Sequence, residues 1–345
     1  MPADAGTPSG VDDQTSFPAF VVERQGDDVA TGMRELTVDA LPPGEILVAV
    51  AWSCVNYKDG MVTVAGNRVA RTSPLVPGVD LAGTVVASED ASLPVGTAVL
   101  AHGHDIGVAR HGGFAAYARL PADWVLPVPP GLTARQAMAI GTAGFTAALS
   151  VDELERHGLV PEDGPVLVTG AAGGVGSLSV ALLAARGYEV VASTGRTQEA
   201  AWLTSLGAAR VEGREALDQR LERVLGPELW AGAIDCVGGA TLAKVLRTLR
   251  YGAAVAASGL TGGPELETTV FPFITRQVAL FGIDSVETPA WRRAEVWGRL
   301  GGDLRPPDLE AFVEQEVALA DVGAVLPRIL RGGVRGRVLV RVGDD

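Results

Sequence analysis

Thr169-Gly170-Ala171-Ala172-Gly173-Gly174-Val175-Gly176-Ser177 is the segment of this chain whose residue types and spacing most directly promise chemistry. It follows the apolar, β-rich run 166–169 and opens a helical pattern. The first backbone N–H groups of a helix have no partner within it, and the helix dipole favours negative charge there. Glycines let a diphosphate reach that backbone with no Cβ in the way. Gly170, Ala172, Gly173, Gly174, Val175 and Gly176 are the predicted contacts, spaced G-x-x-G-x-x-G rather than G-x-G-x-x-G. A strand-to-helix turn without a ligand is the alternative. The next strand pattern, 189–193, ends in Ser193-Thr194-Gly195-Arg196. Folds that take NAD usually carry a carboxylate here to bind the ribose 2′-hydroxyl. Two hydroxyls and a guanidinium suit a 2′-phosphate instead. Ser193, Thr194, Gly195 and Arg196 thus predict NADPH as the cofactor. A solvated surface arginine is the alternative for Arg196.

These turns need a parallel sheet to hold them. After residue 166, strand-like runs at 166–169, 189–193, 233–237, 252–259 and 278–283 alternate with helical patterns. In one of these helices Leu178, Ala181, Leu182 and Ala185 recur at helical spacing. Alternation of this kind implies a doubly wound sheet. The first third reads differently. Runs 45–55, 80–88 and 113–120 are rich in Val, Ala and aromatics and are punctuated by Pro-Gly and Gly-Gly turns, as in an antiparallel, barrel-like unit. Residues 131–151 turn helical, 152–165 form a polar connection, and the end returns to a helix at 320–331 and a strand at 336–342.

Composition narrows the classes. Forty-four of 345 residues are glycine, with no Gly-X-Y period. The net charge of −13 disfavours nucleic-acid partners. Two cysteines, Cys54 and Cys236, make neither a disulfide framework nor a four-cysteine zinc site, which predicts a reducing, cytoplasmic setting. The first 16 residues have no apolar core of a signal peptide and read as a frayed tail. The uncharged run 165–185 is long enough for a membrane helix, but its central glycines divide it into strand, turn and helix, so no membrane span is expected.

Several segments resemble the medium-chain dehydrogenase/reductase superfamily, in its zinc-free quinone-oxidoreductase-like part. They are 56–60 (NYKDG), 77–80 (PGVD) with 82–84 (AGT), 141–147 (GTAGFTA), the glycine turn, 193–196 and 284–286 (DSV). NYKDG, GTAGFTA and the PFI of 272–274 followed by DSV are similar to the acryloyl-CoA reductase branch. The resemblance implies an α/β fold: a GroES-like β-rich catalytic domain of residues 17–140 and 285–345, around a Rossmann NADP-binding domain of 141–284. It places the active site in the cleft between the domains. Where zinc alcohol dehydrogenases carry their ligand motifs, this chain has 56–59 and 77–80, which lack the thiolate and imidazole that zinc favours. His102, His104 and His111 have no acidic or thiol partner at ligand spacing and are expected in a solvent-facing or substrate-edge loop, so no metal is predicted.

Without a metal, the chemistry left to such a fold is hydride addition to an activated C=C. Charge then builds on a carbonyl oxygen, which needs hydrogen-bond donors, and the α-carbon needs a proton. Asn56, Tyr57 and Asp59 are the catalytic candidates: a neutral donor, a donor or stacking ring, and a group that orients its neighbours. Each could instead belong to a structural turn. The resemblance adds Tyr57, Arg210, Leu260, Ile274 and Ser285 as cofactor contacts, with Leu260 and Ile274 open to a core role. The implied reaction is NADPH-dependent reduction of acryloyl-CoA to propanoyl-CoA. The alternatives are a quinone or 2-alkenal reductase and a non-catalytic NADPH-binding protein. A CoA thioester would need basic groups, for which Lys58, Arg68 and Arg71 are candidates, and a homodimer is the family expectation.

Overall fold

The computed structural model describes residues 11–26, 28–217 and 224–343. The chain divides into two units, Met1–Gly141 with Gln315–Gly333 and Val338–Asp345, and Thr142–Glu314 with Val334–Arg337. In the first, β1 (Ser16–Gln25) and β2 (Asp28–Thr37) pair as an antiparallel hairpin. Then come β3 (Ile46–Cys54), the short helix α1 (Tyr57–Met61), β4 (Asp80–Ser88), β5 (Ala98–His102), β6 (Tyr117–Leu120) and β7 (Val125–Pro127). Helix α2 (Ala134–Arg156) leads out of this unit. It is broken at Gly141, whose φ of 52° and ψ of −162° are open only to glycine.

The second unit continues with β8 (Val166–Thr169), α3 (Gly174–Ala185), β9 (Val190–Thr194), α4 (Ala200–Ser205), β10 (Arg210–Gly213) and α5 (Arg214–Leu217). It goes on through β11 (Trp230–Asp235), α6 (Gly239–Thr248), β12 (Leu249–Ala257), α7 (Phe271–Arg276), β13 (Ala279–Gly282) and α8 (Ala290–Gly301). The chain ends with β14 (Val313–Ala318), α9 (Val322–Leu330) and β15 (Arg337–Arg341).

The sheet of the second unit runs β10-β9-β8-β11-β12-β13, and its pairs are parallel. This is the expected doubly wound order, with β8 beside the point where the order reverses and ligands bind in such folds. Its core includes Leu167, Val191, Ala233, Val245 and Val255, all sealed from solvent. The first unit holds a seven-stranded sheet, β14-β15-β3-β4-β5-β7 with β6 also on β3. Strand β3 is buried on both faces, as its unbroken apolar run requires. Among the described residues no helix is long and apolar enough to cross a membrane, and 165–185 contains a strand, a turn and a helix.

Three boundaries differ from expectation. Residues 11–15 form a turn closed by Thr15 N–H donating to the Asp12 carbonyl, and Ser16 already belongs to β1; residues 1–10 of the expected tail lie outside the described residues. The helix expected to end at 151 runs to Arg156. The second unit runs to Glu314 rather than stopping at 284. The reason is α8, which buries Val296, Trp297 and Leu300, with Trp297 stacked 6.2 Å from Phe145.

Candidate functional site

In the first unit β3 delivers Cys54 to the start of a tight corner. Val55 N–H donates to the Val338 carbonyl (2.9 Å), and Asn56 is the extended N-cap of α1. Asp59, fully buried, gathers three backbone donors: Gly78 and Val79 N–H on Oδ1 at 3.0 Å each, and Asn56 N–H on Oδ2 at 2.7 Å. The turn it holds needs Gly78, whose φ is +96° and whose Cβ would strike the Phe114 backbone. Burial pushes the Asp59 carboxyl up to about 7, with the charge of Asp80 adding to it and the three backbone donors opposing. Asp59, closed to solvent, thus holds the corner together through these three backbone N–H groups.

Asp80 sits opposite, also sealed from solvent. Its Oδ2 accepts from Asn56 Nδ2 (2.7 Å) and from the Cys54 thiol (2.9 Å). The Asn56 amide, expected to donate outward, gives its short hydrogen bond inward. Tyr57 follows at the first position of α1 and is 43% exposed, the most open of the three candidates.

In the second unit the glycine turn lies between β8 and α3, as predicted. Gly170 adopts φ +60°, and a Cβ there would press on Cys236 and Val237. At Gly176 a Cβ would overlap the Gly170 carbonyl oxygen and come within 2.7 Å of the Ala171 Cα. Gly173 has more room, 3.4 Å to its nearest atom, and Gly173, Gly174 and Val175 are half-buried. The turn thus fits a dinucleotide diphosphate: two glycines fold it, and the reachable backbone at 173–175 lies at the head of a twelve-residue helix.

Ser193 and Thr194 are buried at the end of β9, and Thr194 Oγ1 accepts from Arg196 N–H (3.0 Å). Arg196 is drawn inward, donating to the carbonyls of Ala172 (2.6 Å) and Val334 (2.7 Å). Burial lowers its pKa, with Glu199 and Glu314 opposing. Arg196 thus ties the glycine turn to the segment at 334 as well as standing at the predicted place. Arg210 is exposed and faces Glu212 at 3.6 Å. Leu260 and Ile274, 62% and 72% exposed, lie outside the core, and Ser285 is half-buried.

Two residues escaped the sequence reading. Arg214 overhangs Gly195, where a Cβ would lie 2.6 Å from its guanidinium. Only the fold brings it there, since β9 and β10 pair in parallel. Asp235, at the end of β11, accepts from Thr169 Oγ1 and Gly238 N–H (2.6 Å each), and burial raises its pKa. It braces the strand end from which the glycine turn departs. The apolar run 233–237 gave no hint that its one carboxylate faced β8.

Of the three histidines expected in a solvent-facing or substrate-edge loop, one is sealed and two are half-buried. His102 is buried, His104 stacks 4.6 Å from Trp124, and His111 Nδ1 accepts from Val76 N–H (3.1 Å). Among the described residues no group of three or more His, Cys, Asp or Glu is placed to hold a metal ion.

Comparison with known proteins agrees with this architecture. Residues 42–130 match the alcohol dehydrogenase GroES-like domain, and residues 174–297 match the zinc-binding dehydrogenase model. The chain is 48% identical to acrylyl-CoA reductase AcuI of Ruegeria pomeroyi, over 94% of this chain and 99% of that protein. It is 47% identical to the putative quinone oxidoreductase YhfP of Bacillus subtilis, over 95% and 99%. The structure of YhfP with NAD bound aligns with a TM-score of 0.93, at 46% identity and covering 95% and 100% of the two chains. The yhdH oxidoreductase of Salmonella enterica in complex with NADP aligns at 0.91, with 46% identity and coverage of 94% and 100%. With a GroES-like unit, a parallel-sheet unit and relatives matched nearly end to end, the chain belongs to the medium-chain dehydrogenase/reductase superfamily, among its quinone-oxidoreductase-like and acrylyl-CoA reductase members.

Proposed function

We propose that this chain is an NADPH-dependent reductase of the carbon–carbon double bond in an α,β-unsaturated CoA thioester, with acryloyl-CoA giving propanoyl-CoA. The observation that carries the cofactor assignment is the glycine turn at the head of α3, set beside the end of β9, where 193–196 hold no carboxylate and the Arg214 guanidinium overhangs Gly195. The near end-to-end match to an acrylyl-CoA reductase supports the acceptor. Bound NADPH would supply a hydride for the β-carbon of the alkene.

The chain's own residues handle the rest. Gly173, Gly174 and Val175 would receive the diphosphate, and Arg214, beside Gly195 at the end of β9, would meet the 2′-phosphate, while Arg196 holds the turn and Arg210 stands further back, beside Val191. The Tyr57 hydroxyl would donate to the thioester oxygen as it gains charge. Asn56, braced by Asp80 and Asp59, fixes the corner from which Tyr57 projects. Water would return the proton to the α-carbon. Losing one such donor costs on the order of a hundredfold in rate. Self-association as a homodimer and a cytoplasmic setting complete the proposal; β13 is an edge strand of its sheet.

A direct test follows NADPH absorbance with acryloyl-CoA, a quinone and a 2-alkenal side by side. Selective oxidation with the thioester is expected. Faster turnover of the quinone or alkenal would replace the acceptor. Tight NADPH binding without oxidation by any acceptor would leave a non-catalytic binding protein.

A further inference from the structure

Within the first unit an open groove of about 700 Å³ runs beside α1. One wall is the end of β1 and the start of β2, with Arg24, Asp28 and Val29; the other is the stretch after α1, from Val62 to Arg71. The walls are tied together. Arg24 N–H donates to Ser73 Oγ (2.9 Å), and Val22 and Leu75 exchange backbone hydrogen bonds of 2.8 and 2.9 Å. Arg24, Arg68 and Arg71 line the groove with exposed side chains, against Asp28. Arg71 pairs with Asp105, whereas among the described residues no ion pair engages Arg24 or Arg68. In a chain of net charge −13, this is a local reversal of sign. Val29, Val62, Val64 and Ala70 add an apolar flank.

The groove and the candidate donor lie at opposite ends of α1. Tyr57 opens α1 and Val62, its C-cap, lines the groove, so roughly 7 Å of helix separates them. A CoA thioester has this polarity: a reactive acyl group at one end, an arm, and a nucleotide bearing several phosphates at the other. Guanidinium groups bind phosphate oxygens through paired N–H donors.

We propose that the Arg24–Arg68–Arg71 groove holds the phosphorylated nucleotide end of the CoA thioester, a site that rests on the thioester reading above. Calorimetric binding of free coenzyme A to wild type and to an R24Q/R68Q double variant tests it, alongside kinetics with acryloyl-CoA and acryloyl-pantetheine, which lacks the nucleotide. Both side chains are exposed, so the fold should persist, and R305Q, an exposed arginine of the other unit, controls for net charge. The double variant should weaken coenzyme A binding and raise KM for acryloyl-CoA by about tenfold. Turnover, KM for acryloyl-pantetheine and KM for NADPH should stay unchanged. Unaltered coenzyme A affinity, or an equal rise in KM for the pantetheine thioester, would overturn the groove. The two proposals separate cleanly. Arginine-dependent coenzyme A binding without acryloyl-CoA reduction keeps the groove and removes the reaction. Reduction with unchanged constants in the double variant keeps the reaction and removes the groove. Wild type that binds no coenzyme A removes the groove.

Discussion

Asn56 Nδ2 lies 2.7 Å from Asp80 Oδ2, so a neutral amide at the rim of α1 satisfies a carboxylate fully sealed from water. Removing the amide leaves a buried acceptor short of a donor, which costs about 1–3 kcal/mol. Asn56→Ala should therefore lower both the melting temperature and turnover, with KM for NADPH little changed. Asn56→Asp should be worse than Ala, since it sets a second carboxylate against Asp80. A thermal melt of the two variants checks the order, and equal melting of Asn56→Ala and wild type would contradict it.

Asp59 and Tyr57 should part company under mutation. Tyr57→Phe removes an exposed hydroxyl and should cut turnover without moving the melting temperature. Asp59→Ala orphans three backbone donors and should lose stability first. Burial holds the Asp59 carboxyl at about 7, above its unfolded value of 3.8, so the folded protein keeps a proton that the unfolded chain has released. Its favourable contribution is complete below pH 4 and falls away as pH rises towards 7. A carboxyl carbon titration by NMR should give a midpoint near 7; one near 4 would rule this out.

The glycines of the turn should sort into two classes. Gly176→Ala forces a Cβ onto the Gly170 carbonyl, so folding yield and dinucleotide affinity should drop together. Gly173→Ala meets its nearest atom at 3.4 Å and should fold normally while binding NADPH more weakly. Fluorescence titration of NADPH, with a melt of each protein, separates them.

Arg196 and Arg214 should differ in what they discriminate. Arg196 holds the Ala172 and Val334 carbonyls, so Arg196→Ala should loosen the turn and raise KM for NADPH and NADH alike. Arg214→Ala should raise KM for NADPH alone, by about tenfold, the scale of one lost charge-assisted contact. A selective NADPH defect in Arg196→Ala with none in Arg214→Ala would reverse the assignment.

Asp152 is the hub of an ion-pair network in the second unit, meeting Arg156 at 2.7 Å and also Arg292 and Arg299. Burial alone would raise its pKa, but hydrogen bonds from Arg292, Arg156 and Arg299 outweigh this and hold it below the usual value. Its contribution is present above pH 3.8 and is lost as pH falls through the lower folded value. Arg292 is only 11% exposed but keeps Glu295 at 2.8 Å, so Asp152→Ala should cost about 1–3 kcal/mol in urea unfolding, with cofactor affinity intact.

The legible parts of this chain were those whose signal is local. The glycine turn, the apolar strands on either side of it and the helix behind them are continuous in sequence, and all stand where periodicity put them. Hairpin strand β2 is hard to read because DVATGMRELT has no fully buried residue and carries no alternation of apolar residues. Helix α8 went unread because its buried face includes Arg292 and Arg293, and arginine reads as surface until its partners are known. Asp152 reads as part of a polar connection until its three arginine partners are known. Arg196 was seen as a charge, but its carbonyl partner at Val334 is 138 residues away. The inward turn of Asn56 depended on Asp80, 24 residues on and across a strand pair.

Strand β15 sits between β14 and β3, pairing Leu339 with Cys54, and its neighbour Val338 receives the N–H of Val55. A segment made early in synthesis thus waits for one made much later. Until then only the end of β3, residues 52–54, lacks its β15 partner, since β6 already pairs with 46–49, and unpaired backbone of this kind recruits other chains. A chain cut before residue 337 would carry the glycine turn complete and yet leave the end of β3 uncovered, so integrity of β15, rather than of the cofactor turn, decides whether the first unit closes.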